Sequence, residues 1–139
     1  MAPLMRSEDV LEAYAASGHG PLQALDTGLE LSDPCFTAWE GGVPLAIFGT
    51  VPTVIGGRRF GTVWLLGTDR IRELPIPFLH QSKSWLARIS QGCDMVGNVM
   101  DARNKVHERW LWWLGFHFVC LHKEYGHLRL PFKEFVKSV

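Results

Sequence analysis

The chain has 139 residues, of which 47% are apolar and 20% charged, and its fourteen Lys and Arg balance fourteen Asp and Glu. That composition fits one globular domain, 1–139, with a substantial core. It excludes a broad nucleic-acid surface, because phosphate binding draws on a basic excess. Cys35, Cys93 and Cys120 are odd in number and far apart, which argues against a disulfide framework. No apolar run resembles a signal peptide or reaches the length of a membrane span, so a soluble protein of the cytosol or of a particle is expected.

In chain order, "SEDVLEAYAASGHG" reads as a helix capped by Ser7, with Glu8 and Asp9 at its positive end and Gly18 closing it. "PLQALDTGLEL" reads as a second, short helix opening on Pro21. "CFTAWE" and "VPLAIFGTV" flank Gly41-Gly42 as a β-hairpin. "PTVIGGRRFG" reads as a second turn region, whose Arg pair is solvated or meets phosphate, and "TVWLLGT" as a strand buried on both faces. "DRIRELPIP" interrupts. A helix follows over "PFLHQSKSWLARISQG", with Phe78, Leu79, Ser82, Trp85, Leu86 and Ile89 on one face. "DMVGNVM" is a strand. "ARNKVHERWLWWLGF" is a helix with Val106, Trp110, Trp113 and Leu114 inward, Gly115 at its left-handed end and Phe116 folding back on the last turn. Two strands around Tyr125-Gly126 end the chain. The order α α β β β α β α β β predicts an α/β (α+β) domain with a mixed sheet and a crossover helix on one face.

This order, and the spacing of Asn104, His107, Leu111, Gly115 and Phe116, resembles the GNAT family of N-acetyltransferases. That family often carries Asn, a small residue three on, Tyr seven on, and Gly-Phe eleven and twelve on. "GCDMVGNVMDARN" looks like the usual strand leading into that Asn, and "WEGGVPLAIFGTV" like the family's second and third strands. More narrowly, "PLAIFG", "VWLLGTD", "ARNKVHERWLWWLGF" and the chain length resemble the small GNAT-like proteins of podovirus-type tailed bacteriophages, called internal virion protein A or acetyltransferase-like. The resemblance covers nearly the whole chain.

The resemblance implies a coenzyme A site and sets three chemical requirements. A Gly-rich loop after the family's fourth strand holds the pyrophosphate by backbone N–H groups at a helix N-terminus. Here that loop is "DRIRELPIPF", with Ile71, Glu73 and Pro75 at the usual glycine positions. Pro75 loses its donor and Glu73 adds an unfavourable charge. Arg70 and Arg72 can compensate as direct ligands, or the loop is only a connection with solvated charges. Leu65, Leu66 and Gly67 would line the cofactor, and Asn104 would bond its pantetheine arm, cap its own helix, or do both. The family's acid for the departing thiolate is the helix Tyr, here Leu111, which can protonate nothing. His107, one turn earlier, can, although a lone helix His is more often simply packed or solvated. Glu40 and Asp69, at strand ends, are the candidate bases, although acids in such places are usually solvated.

His117, His122 and His127 fall five apart, which alternates faces along a strand and disfavours a metal site. Leu111 and Trp112 leave the Trp110/Trp113 face. They reach the surface or bury against another element or subunit, which makes them candidate partner contacts, with Trp39, Phe132 and Phe135 able to add to the patch. Two readings follow. In one, a GNAT scaffold without catalysis serves virion assembly, in the virion or the infected cell, with phage structural proteins as partners or as an oligomer, and no cofactor. In the other, the protein is an acyl-CoA-dependent N-acetyltransferase acting on a protein or small-molecule amine, with acetyl-CoA as donor. The glycine-poor loop and Leu111 favour the first.

Overall fold

Two Gly-Gly pairs shape the first half of the sheet. β1 (Cys35–Glu40) turns through Gly41-Gly42 into β2 (Val43–Ile55), which turns through Gly56-Gly57 into β3 (Arg58–Gly67). The computed structural model describes residues 1–73 and 75–139, with side chains for all of these except residues 72, 73, 75 and 77. β2 is longer than its sequence suggests, because "PTVI" continues the strand and Pro52 pairs with Gly61. The Thr50 N–H donates to Pro34 O, away from β3. Two residues on, the Pro52 nitrogen faces that same side, beyond the reach of β1, so no ladder bond is lost.

Before the sheet come α1 (Ser7–Ser17) and α2 (Pro21–Leu31). Arg6, not Ser7, is the N-cap of α1, and the Ser7 hydroxyl bonds Glu8 instead. Gly18 ends α1 in the left-handed conformation, and Pro21 opens α2. After β3, the "DRIRELPIP" segment, read as an interruption, is helical over residues 70–73 and from residue 75 on. α3 (Arg70–Glu73) precedes α4 (Pro75–Ile89), since Pro is tolerated in a first turn whose N–H groups have no intrahelical partner. Then come β4 (Met95–Asp101), α5 (Lys105–Trp113), β5 (His117–Tyr125) and β6 (Leu130–Ser138). The sheet order is β1-β2-β3-β4-β6-β5, with β3 and β4 parallel and every other neighbour pair antiparallel. This is the mixed α/β sheet expected.

Helices cover both faces. Ile47 and Leu66, opposite each other, pack toward Met5, Val10 and Leu25 of the N-terminal helical layer. Phe48, Val63 and Leu65 pack on the other face against α4 and α5 through Leu86, Ile89, Leu111 and Leu114. Alternation along β2 and β3 thus buries both faces, as the apolar run of β3 predicts.

Asn104 caps α5, its side chain accepting the His107 N–H at 3.1 Å. The far end is a Schellman motif: Gly115 has φ of 98°, its N–H donates to Trp112 O, and the Phe116 N–H donates to Leu111 O. That motif brings Phe116 against Leu111, which sets the buried face of α5. Leu111 is 4% exposed, whereas Val106 and Trp113 are out in solvent. Of the expected inward face, Val106 and Trp113 are exposed while Trp110 and Leu114 pack on the core, and Leu111 is buried against other elements instead of reaching the surface. Trp113 lies under the Lys83 ammonium, 4.1 Å from its ring centre. Trp112 and Trp39 are exposed, but Phe132 and Phe135 are buried and add nothing to a surface patch. Replacing Asn104 by alanine should lower stability by about 1 kcal/mol through the lost cap, measured as a shift of the urea midpoint.

Candidate functional site

β3 and β4 stay together for only three pairs, Phe60-Met95, Gly61-Val96 and Thr62-Gly97, and then part. Asn98 marks the fork: its Nδ2 donates to Val63 O at 2.8 Å, and its Oδ1 accepts the Val99 N–H. Beyond it, the two strand ends are tied to α1 instead of to each other. Asp9 accepts the Gly67 N–H at 2.6 Å, and Gly67 O accepts the Arg6 N–H at 2.8 Å. One turn on, Glu12 accepts the Asp101 N–H at 3.0 Å. Two carboxylates of one helix, three residues apart and so on one face, hold the fork open.

The wedge so made is a cavity of about 280 Å³. β3 from Val63 to Leu66 lines one side and Asn98 and Val99 the other; α4 and α5 contribute Trp85, Leu86, Trp110 and Leu111. Its walls are mainly apolar, with Asp9, Glu12, Ser82, Asn98 and His107 as polar points. Backbone direction alternates along β3. The Val63 carbonyl and both Gly67 groups face the gap, so the N–H and C=O of Leu65, midway between them, face it too.

Charge is concentrated at the α1 end. Burial pushes the Asp9 carboxyl above its usual range, against the opposing charge of Arg6, which grips both its oxygens. Asp101, at the end of β4, turns its carboxylate to Arg103 in a two-pronged contact that holds its pKa below the usual range. Glu12 Oε2 lies 3.8 Å from His107 Nδ1. The His107 ring is 5.7 Å from that of Trp110, whose indole N–H reaches Ser82 at 3.4 Å.

The expected site residues divide by place. Leu65, Leu66, Leu111 and His107 line the gap, and Gly67 closes it against α1. Asn104 sits at the start of α5 as a cap. Glu40 and Asp69 do not line the gap. Glu40 borders a separate groove beside Phe36, Trp39 and Arg88, with Arg70 at 3.9 Å. The side chain of Arg72 lies outside the described residues, as do those of Glu73 and Pro75. His117, His122 and His127 do not converge: His122 is 3.7 Å from Glu134, while His127 packs edge-on against Tyr14. Among the described residues no His, Cys, Asp and Glu side chains group as a metal site, and no helix is long and apolar enough to cross a membrane.

An acetyltransferase from Bacillus subtilis in complex with CoA matches the structure with a TM-score of 0.69 at 11% identity, over 96% of this chain and 93% of that one. A GNAT-family acetyltransferase from Streptococcus pneumoniae matches with a TM-score of 0.60 at 15% identity, over 87% and 77% of the two chains. The chain has the GNAT fold. A ribosomal-protein-alanine N-acetyltransferase from Brucella melitensis is similar at a TM-score of 0.65 and 16% identity, over 85% and 76%. At these identities the likeness is one of fold. No protein-family model matches the sequence, and no curated protein matches it significantly.

The gap is mainly apolar, and the Leu65 peptide presents a donor and an acceptor along a strand edge within it. The start of α4 is poorer in donors. α4 opens on Pro75 and has Pro77 in the same turn, so two of its first four residues carry no N–H. Only the N–H groups of Ile76 and Phe78 remain in that turn for an anion.

Proposed function

We propose that the protein is an acyl-CoA-dependent N-acyltransferase whose acyl-pantetheine lies between β3 and β4 and whose acceptor is an amine of a protein or small molecule. The parting of β3 from β4 at Asn98 carries this reading, since it leaves the Leu65 peptide at an open edge inside an apolar wedge. Asp9 and Glu12 give the α1 end of that wedge an acidic lining that favours an approaching amine. His107 is the wall residue suited to moving a proton, whereas Glu40 and Asp69 do not line the gap. Arg70 and the two remaining amides of the first turn of α4 would meet the phosphates. The resulting affinity should fall with salt more steeply than where a full amide nest holds them.

Titration calorimetry with acetyl-CoA tests this. Saturable one-to-one binding is expected, and it should persist with desphospho-type truncated donors that keep the pantetheine arm. No binding by either would overturn it.

A second reading has its own support. Val106, Trp112 and Trp113 leave α5 with exposed apolar surface, and the proline pair thins the phosphate site. A GNAT scaffold kept for virion assembly in a tailed phage would use such a face for structural partners. It would fit the absence of acetyl-CoA binding.

A further inference from the structure

We infer that Glu12 is a positioning residue that fixes the tautomer of His107, so that His107 Nε2 acts as the base for the acceptor amine; this rests on the N-acyltransferase reading above. The two residues come from elements far apart in sequence. Glu12 lies on α1 and His107 in the first turn of α5, and both line the gap. Neither is free to drift. The Asp101 N–H holds Glu12 Oε1 at 3.0 Å, which leaves Oε2 directed to His107 Nδ1 at 3.8 Å. The His107 backbone N–H is held by the Asn104 cap. The other carboxylates nearby are engaged elsewhere: Asp101 with Arg103, Asp9 with Arg6 and Glu108 with Lys133. Contacts of this kind are often long without substrate and tighten when it binds.

A nitrogen facing a carboxylate carries the proton, and the other nitrogen then presents its lone pair. With Nδ1–H toward Glu12, Nε2 is the acceptor, on the far edge of a ring that lines the gap. The chemistry balances around that atom. The amine nitrogen attacks the thioester carbonyl carbon, forming the N–C bond. The C–S bond breaks with its electron pair on sulfur. The proton shed by the amine passes to Nε2 and from there to the thiolate, which returns His107 to its neutral form and yields an amide and a thiol. His107 then serves first as base and last as acid, which offsets the missing phenol at Leu111.

Nitrogen-15 NMR of histidine-labelled protein at neutral pH reads the tautomer directly, with His107→Gln identifying the signal. The Nδ1–H form is expected. In Glu12→Gln the amide oxygen can still accept the Asp101 N–H, so the fold is kept, but its NH₂ group then faces Nδ1. The expected result is inversion to the Nε2–H form. With acetyl-CoA and a lysine-containing peptide, kcat should fall about 100-fold, within the usual range for a displaced base, with KM for acetyl-CoA unchanged. An Nε2–H tautomer in the unaltered protein, or no change of tautomer in Glu12→Gln, overturns the inference. Failure of acetyl-CoA to bind would instead remove the acyltransferase reading, whatever tautomer the ring holds.

Discussion

Replacing Phe132 by alanine should destabilise the protein by about 4 kcal/mol, within the range for a buried ring truncated to a methyl. Phe132 is 1% exposed, pairs with Asp101 across β4 and β6, and packs its ring 5.0 Å from that of Tyr125. It also lines the wedge between β3 and β4. The truncation would therefore enlarge a space that already exists instead of creating one the neighbours could collapse into. Urea unfolding followed by tryptophan fluorescence gives the shift, and Trp112→Ala is the control. Trp112 is 72% exposed, so its loss should move stability by less than about 0.5 kcal/mol. Similar costs for the two would mean that β6 does not form the floor of the wedge.

Much of the fold was readable because local rules and packing agree. Gly41-Gly42 between two apolar runs announced a hairpin, and Asn104 and Gly115 announced both ends of α5. Where they disagree, the structure departs from the local pattern. Pro52 looks like a strand breaker, yet its nitrogen faces a side where β1 has already ended, a fact that only the register supplies. α5 carries two overlapping apolar stripes, Val106-Trp110-Trp113-Leu114 and Trp110-Leu111-Leu114. Periodicity cannot choose between them. The choice was latent in Gly115-Phe116, because a Schellman motif sets the residue after its glycine against the helix residue five before it, here Leu111.

The site was less legible, for a geometric reason. A fork in a sheet is a relation between strands, and no spacing in the sequence encodes where β3 leaves β4. Leu65, Leu66 and His107 were reached through the GNAT resemblance, whereas Asp9, Glu12 and Asn98 were missed. Asn98 did leave a signal, since an amide inside the apolar strand "MVGNVM" must find a partner. Asp9 had an ordinary explanation as a first-turn acid favoured by the helix dipole, and that explanation hid its bond to Gly67. Glu12 offered no signal: it is a mid-helix glutamate, the commonest of surface residues, and only the tertiary fold brings it to Asp101 and His107.

Because α1 holds the fork open, the contact that seats α1 should be the most sensitive point far from the wedge. Gly126, in the β5–β6 turn, has φ of 71°, and a Cβ there would lie 2.4 Å from Ala16 O, 2.7 Å from Ala16 Cα and 2.8 Å from Ala15 O. All three are backbone atoms of α1, which cannot swing aside as a side-chain end can. The adjoining His127 and Leu128 N–H groups donate to those same carbonyls at 3.1 and 3.0 Å, so any retreat of the turn lengthens two hydrogen bonds. Left-handed strain of about 1 kcal/mol and overpacking of a further 1–3 kcal/mol or so put Gly126→Ala at about 3 kcal/mol of lost stability. Gly56→Ala separates the two causes. Gly56 has φ of 57° with nothing within 4 Å of a new Cβ, so it should show the strain alone, about 1 kcal/mol. The excess at Gly126 measures the seating of α1. A displaced α1 also carries Asp9 and Glu12 away from Gly67 and Asp101, so on the proposed acyltransferase function Gly126→Ala should weaken acetyl-CoA binding, while Gly56→Ala should leave it intact. Equal effects of the two variants on stability would mean that the turn does not press on α1, and that the fork is held by the strands alone.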